Sequence, residues 1–464
     1  MKIRLTNLLI TIALVSTLAL KGQNTNYKHD DKSIAESVNR KAMAKEVKDA
    51  FLHAWSGYKQ YAWGTDALKP LSKTGHNWYK ETLLMTPVDA YDVMLIMGLK
   101  EQAAEAKELI FSKLRFNQDM DVLNFEVSIR ILGGLLSAYE LDGDKRFLDL
   151  ARDLGDRLIK SFDSPTGMPY RFVNLATGKT SGEISNPAEI GTYVVEYGIL
   201  SRHTGDSRYY KIAKKAMQAL YSRRSPLGLS GSSINVETGE WTDTESHISG
   251  GIDSYYEYLL KAALLFNDDE IMSMWKTSLL AINTYLADRN HEGLWYGHAD
   301  MYKGKITATN YGALDAFFAG SLALAGDKED AVALQASNFK MWMIEGIEPE
   351  EIDYAKMQVT SPGYALRPEN LEGAYYLYQL TGDEQYLQMG SAMFQDLLKY
   401  CKNETGFCAL KSVVSKEKAD TMESFFLAET LKYAYLLFDD SGSLQFNNVI
   451  FNTEAHPYKR SAKE

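Results

Sequence analysis

The sequence predicts an all-α protein built as a closed ring of seven helical hairpins, and three observations lead there. Gly143-Asp144, Gly205-Asp206, Asn267-Asp268, Gly326-Asp327, Gly382-Asp383 and Asp439-Asp440 recur 56 to 62 residues apart. Each pair follows an apolar run and, except for the last, precedes an amphipathic one, as expected where Gly ends one helix and Asp caps the next. The runs exceed ten residues and their apolar positions repeat near 3.6, which favours helix over strand. An array of such units must be capped or closed, and no composition break interrupts residues 38–440.

Taken in order, residues 38–62 form an amphipathic outer helix and 86–97 the first apolar inner helix, ended at Met97-Gly98. The polar partner 99–115 follows, and then inner 123–142 with outer 145–162, divided by Gly143-Asp144. Inner 187–204 and outer 207–223, inner 252–266 and outer 269–287, and inner 311–325 and outer 328–343 repeat the plan. Inner 368–381 carries the aromatic run LEGAYYLYQL before outer 383–401, and inner 421–438 ends the helical pattern. Apolar helices all round belong inside a ring and amphipathic ones outside it.

Composition narrows the function. The chain has 464 residues, 45% hydrophobic and 24% charged, and a formal net charge of −11. That balance argues against nucleic acid or an anionic membrane as partner, since phosphate binding needs clustered Lys and Arg. Lys2 and Arg4 precede an apolar run from Leu8 to Leu20 that stops at Lys21, the layout of a signal peptide over residues 1–22. Export to a periplasm, the medium or, in a eukaryote, the endoplasmic reticulum lumen is expected, with no membrane contact after cleavage. Cys401 and Cys408 are the two cysteines, too few for a disulfide-built fold, and whether they pair is open.

The first turn of every inner helix holds an acid: Asp89, Glu126, Glu189, Asp253, Asp315, Glu369 and Glu423. First-turn acids are favoured by the helix dipole, and Asp315 among packing residues fits that account best. Others have neighbours suited to a site. Arg130 lies four residues after Glu126, Arg367-Pro368 precede Glu369, Glu372 follows it by one turn, and three tyrosines trail Asp253. Parallel inner helices would bring these carboxyls to one mouth of the ring. Acids among aromatics are what glycoside hydrolysis requires: a general acid, a general base, and rings for sugar C–H faces. Eight histidines show no HExxH and no cysteine partners, which argues against zinc, and the chain has no GxSxG, P-loop or strand-borne GxGxxG.

The strings 51-FLHAWSGYKQYAWGTDALKP-70, 125-FEVSIRILGGLLSAYE-140, 253-DSYYEYLLKAALL-265, 366-LRPENLEGAYYLYQLTGD-383, 422-MESFFLAETLKYAYLLFDD-440 and 450-IFNTEAHP-457 resemble glycoside hydrolase family 47, the class I α-1,2-mannosidases. The resemblance covers about residues 45–457 and implies an (α/α)7 barrel plugged by a C-terminal β-hairpin, one catalytic domain over 38–457. It implies that Glu126 is the acid, acting through a water, that Glu369 is the base, and that Asp253 is the third catalytic carboxylate, with base assignment between the last two open. It further implies that Thr453 holds Ca²⁺ and that Arg130, Glu189, Arg367, Glu372, Phe425, Glu429 and Glu454 contact sugar or water. The expected activity is exo-acting, inverting, Ca²⁺-dependent removal of terminal α-1,2-linked mannose from a high-mannose glycan or mannan, by a monomer. The alternative is a mannose-binding, lectin-like protein with weak catalysis. Gly251 stands where the processing enzyme of the endoplasmic reticulum has Arg. Around 250–265 and 301–318 the text is closer to the degradation-enhancing mannosidase-like branch or to bacterial members.

Overall fold

The computed structural model describes residues 38–460, so the signal-peptide expectation for residues 1–22 falls outside them. Outer helices are Arg40–Tyr61, Lys100–Lys113, Lys145–Leu158, Arg208–Tyr221, Asp269–Tyr285, Lys328–Met343 and Gln385–Tyr400. Two inner helices begin within a residue of the predicted place and run unbroken, Asp253–Phe266 and Glu369–Thr381; the fifth, Phe317–Ala325 after the short turn Leu314–Ala316, starts later than residue 311 because Asn310–Gly312 is strand. The others are segmented, as Met85–Asp89 with Tyr91–Ile96, Pro187–Gly191 with Val194–Thr204, Asn124–Asp142 with a π-helical stretch at Val127–Leu132, and Leu431–Phe438 preceded by a π-helical Phe426–Thr430.

Each inner helix packs against the next, and the seventh packs against the first, closing the ring. Arg40–Tyr61 lies on Leu431–Phe438, so the first and last helices complete one hairpin and neither end of the array is left open. Burial separates the layers as the sequence pattern requires. Phe317 through Ala323 are all buried in the fifth inner helix. The outer helix Lys145–Leu158 buries only Phe147, Leu148, Ala151, Leu154, Gly155 and Leu158, one face of a 3.6-residue period. The punctuation is also as expected. Gly143 and Gly382 take the left-handed conformation, φ +82° and +69°, which reverses the chain into the next helix without a Cβ penalty. Asp144, Asp268 and Asp327 then cap the outer helices with their side chains.

The long connections from each outer helix to the next inner one are not plain loops. They carry short antiparallel ladders, such as Asp121–Leu123 on Phe172–Asn174, and the central Glu351–Asp353 between Asn310–Gly312 and Gln358–Ser361. The sequence pattern points to strand only at the C-terminus, because two to four residues are too few for a period-2 pattern to stand out. Leu123 and Gly312 run almost directly into inner helices, so these ladders fix where the helix N-termini stand.

The C-terminal hairpin pairs Val449–Phe451 with Pro457–Lys459, joining Ile450 to Tyr458. Its turn, residues 452–456, is enclosed by the inner helices. Asn452 donates to the Ile129 carbonyl at 3.0 Å and to Glu196 Oε1 at 2.8 Å, while its Oδ1 accepts the N–H groups of Glu454 and His456. Asn452 and His456 are fully buried. Cys401 and Cys408 are buried and unbridged. Among the described residues, no helix is long and apolar enough to cross a membrane.

Candidate active site

A cavity of about 250 Å³ opens at the end of the barrel where the inner helices start. All eleven residues named for the site in the sequence line it: Glu126, Asp253, Glu369, Arg130, Glu189, Arg367, Glu372, Phe425, Glu429, Thr453 and Glu454. The acid ring is only partly realised. Glu126, Glu189, Asp253 and Glu369 face the cavity, but Asp89, Asp315 and Glu423 do not line it. Asp89 is buried behind it, accepting from Ser424 and touching His456. Asp315 is held by Ser249 Oγ and the Gly312 N–H, as a helix-start acid usually is. Glu423 accepts from the Trp78 indole at 2.8 Å and from Thr421. Asp89 closes the helix Met85–Asp89 instead of opening one, and all three acids are held by partners outside the cavity and do not join the site.

The positively charged groups organise the carboxyls. Arg130 Nε donates to Glu126 Oε2 at 2.8 Å along the helix, and its Nη1 reaches Glu454 on the plug at 2.5 Å. It therefore ties the second inner helix to the C-terminal turn. Arg367 is gripped by Glu350, with Nη2 2.9 Å from Oε2. The Phe425 ring lies between the two guanidinium groups, 5.6 Å from one and 5.8 Å from the other. Both π-helical stretches border this place, just after Glu126 and just after Phe425. Such bulges re-aim side chains within an otherwise regular helix.

Burial sets the protonation of the cavity. Asp253 is pushed up to about 7 by burial, against the opposing Ser254 N–H at 2.8 Å. Glu369 is pushed up to about 8 by burial, with Arg367 opposing, and its buried Oε2 has no hydrogen-bond partner. Glu372 rises to about 7 from burial, with Lys261 opposing. Burial, then the nearby Glu454, raises Glu429 well above the carboxylate range, and burial, with Arg130 opposing and Asp89 and Glu126 adding, raises Glu454 to about 8. Two such carboxyls at hydrogen-bond range hold a proton between them more readily than two charges.

Several participants were missed. Glu257 lines the cavity and pairs with the fully buried Lys261, which also lies 3.6 Å from Glu372. The signal was present in the sequence: Asp253, Glu257 and Lys261 follow at four-residue steps and so share one helix face. Arg171, which clasps Glu189 through two hydrogen bonds of 2.5 and 2.8 Å, comes from a connecting ladder and had no such signal. Glu350, behind Arg367, is likewise brought in by a loop.

Comparison with known proteins agrees with this geometry. Residues 50–460 match the profile of glycosyl hydrolase family 47. The chain is 38% identical to Alpha-mannosidase I MNS4 of Arabidopsis thaliana over 450 residues, 91% of this chain and 71% of that protein. It is 35% identical to human ER degradation-enhancing alpha-mannosidase-like protein 2, covering 90% of this chain and 77% of the relative. The structure superposes on an alpha-1,2-mannosidase from Trichoderma reesei with a TM-score of 0.85 and 28% identity, covering 92% of this chain and all of that one. A match across nearly the whole barrel, together with a carboxylate-lined cavity at its helix N-termini, establishes that the chain belongs to glycosyl hydrolase family 47.

Proposed function

We propose that this glycoside hydrolase is an exo-acting, inverting α-1,2-mannosidase that removes terminal α-1,2-linked mannose from high-mannose glycans or mannan and depends on Ca²⁺. The observation that carries the reading is the convergence of all eleven expected residues on one cavity whose floor is the C-terminal turn. A blind end admits a chain terminus and excludes an internal sugar, which is the requirement for exo action. The relatives' mannosidase activity supports the choice of sugar.

The cavity fits a hard cation. Glu126, Glu189, Asp253, Glu257, Glu369, Glu372, Glu429 and Glu454 face it, more carboxyls than the cations Arg130, Arg367, Lys261 and Arg171 that oppose them, and the buried Oε2 of Glu369 is unpartnered. Thr453 adds a hydroxyl and a carbonyl at the turn, with its N–H anchored on the Tyr258 hydroxyl at 3.2 Å. An all-oxygen set suits calcium. When bound, calcium supplies a positive charge that grips vicinal hydroxyls and favours the ionised form of nearby carboxyls.

The remaining chemistry belongs to side chains. Glu126, oriented by Arg130, delivers a proton through a water to the glycosidic oxygen as the C1–O bond breaks. Glu369, with Arg367 favouring its ionised form, takes a proton from the water whose oxygen bonds to C1 from the opposite face. Asp253, across the cavity on the fourth inner helix, orients that water and the sugar hydroxyls. Phe425 offers its face to the sugar between the two arginines.

The test is hydrolysis of α-1,2-mannobiose followed by NMR from the first turnover, with and without EDTA. β-Mannose should appear first, and activity should vanish on calcium removal and return with added Ca²⁺. Initial α-mannose, or full activity after complete calcium removal, would overturn the mechanism.

A further inference from the structure

A second cluster of metal-ligating side chains lies outside the cavity, on a three-stranded ladder in the connections before the fourth and fifth inner helices. The strand Glu245–Ser246 pairs antiparallel with His298–Asp300, Ser246 facing Ala299 and Glu245 facing Asp300. One further step in this register sets His247 opposite His298, and their rings stack at 4.6 Å with an interplanar angle of 25°. Glu245 and His247 are two residues apart and so point to the same side of the ladder. Glu245 Oε1 is 3.4 Å from His298 Nδ1, and ligand atoms of Glu245, His247 and His298 all lie within 4.8 Å of one another.

We propose that Glu245, His247 and His298 form a binding site for a divalent transition metal of the zinc type, distinct from the oxygen-lined cavity that would take calcium. Two imidazoles and one carboxylate are a zinc-type donor set, with the fourth position left to water. Ligand atoms about 2 Å from a tetrahedral ion stand roughly 3.3 Å apart, so small rotations about χ1 and χ2 close the triad. Nitrogen donors select against calcium, which takes oxygen.

The surroundings favour occupation. His298 Nε2 is buried without a hydrogen-bond partner, an arrangement that costs energy unless a ligand meets the ring. His247 Nδ1 accepts the Ser249 N–H at 3.1 Å and its Nε2 faces Ser232 Oγ at 3.1 Å. Ligation through Nε2 moves the ring proton to Nδ1 and gives up the Ser249 contact, a neutral hydrogen bond exchanged for a metal bond. Glu245 is half exposed and provides the entry path, with its side chain 44% accessible.

The site would also act on the cavity at a distance. His247 is followed by Ser249, which donates to Asp315 at the start of the fifth inner helix, and then by Gly250, Gly251 and Asp253, which line the cavity. Clamping His247 to His298 fixes the N-terminal end of the segment that presents Asp253.

The experiment uses the full chain, stripped with chelator and dialysed against Zn²⁺ in excess Ca²⁺, with bound metal measured by mass spectrometry. About one equivalent of zinc should remain, and His298→Gln, His247→Gln and Glu245→Gln should each weaken binding by roughly tenfold or more. Co²⁺ in place of zinc should give a visible d–d spectrum without a sulfur charge-transfer band, lost in the same variants. Zinc should raise the wild-type Tm and leave that of His298→Gln unchanged. Glu245→Gln, at a half-exposed position, keeps the test decisive if either histidine variant misfolds. Absence of stoichiometric zinc in excess calcium, binding indifferent to all three substitutions, or a cobalt–thiolate band pointing to Cys401 and Cys408 would each overturn the proposal.

Discussion

Replacing His456 by Gln probes the lock on the barrel's plug. His456 is fully buried, with Nδ1 2.7 Å from Asp92 Oδ2 and Nε2 3.1 Å from Asp89 Oδ1. Ionised carboxylates only accept hydrogen bonds, so a ring facing one at each nitrogen is an imidazolium. Lys432 joins the group, 2.9 Å from Asp92 Oδ1 and donating to the Ala455 carbonyl at 2.6 Å. The net effect on His456, despite its burial, is a pKa raised from 6.5 to about 9, chiefly by Asp92. A raised pKa stabilises the fold below the unfolded-state value, and that stabilisation is lost as pH climbs through the folded-state value. At roughly 1.36 kcal/mol per pH unit the rise corresponds to about 3 kcal/mol, present at pH 6 and gone above about pH 9.5. Unfolding entropy of about 2.1 cal/mol/K per residue over the described barrel converts this to a Tm change of about 3 °C. Thermal denaturation of wild type and His456→Gln from pH 6 to 10 measures it: the gap in Tm should be widest at pH 6 and close by about that amount by pH 9.5. A gap that stays constant with pH would refute the imidazolium lock.

Glu369→Gln and Glu126→Gln should each lower kcat by a factor of about 10³ or more on α-1,2-mannobiose. Metal-free Glu369→Gln should melt no lower than wild type, because it removes a buried carboxyl whose raised pKa destabilises the fold at pH 7. Thr453→Ala should weaken Ca²⁺ binding by roughly tenfold or more by calorimetry with the fold intact by circular dichroism, and truncation before Phe451 should abolish both calcium binding and hydrolysis. Arg130→Met strands Glu126 and Glu454 without their cation and should cost about 3–5 kcal/mol in urea unfolding as well as activity.

The degree to which the site was legible in the sequence followed how local each contact is. Glu126 with Arg130, and Glu369 with Glu372, lie one helical turn apart, so spacing alone placed each pair on one face. Asp89, Asp315 and Glu423 had the same first-turn signature and yet face elsewhere. That difference depends on how each inner helix starts: Glu423 is drawn off by Trp78, Asp315 by Ser249, and Asp89 by Ser424 and His456. These partners lie 66 to 367 residues away in the chain, a distance no periodicity can bridge.

By itself the sequence determined the number of hairpins, which helices are inner, the turns between them and, through the family strings, eleven residues that line the cavity. Those features rest on periodicity, Gly and Asp punctuation and ordered motifs, all of which are local. The tertiary structure alone decided which acids share the cavity, that Arg171 and Glu350 support it, that His456 and Lys432 lock the plug, and that Glu245 and His247 meet His298. Each of these joins groups far apart in the chain, and only closure of the ring brings them together.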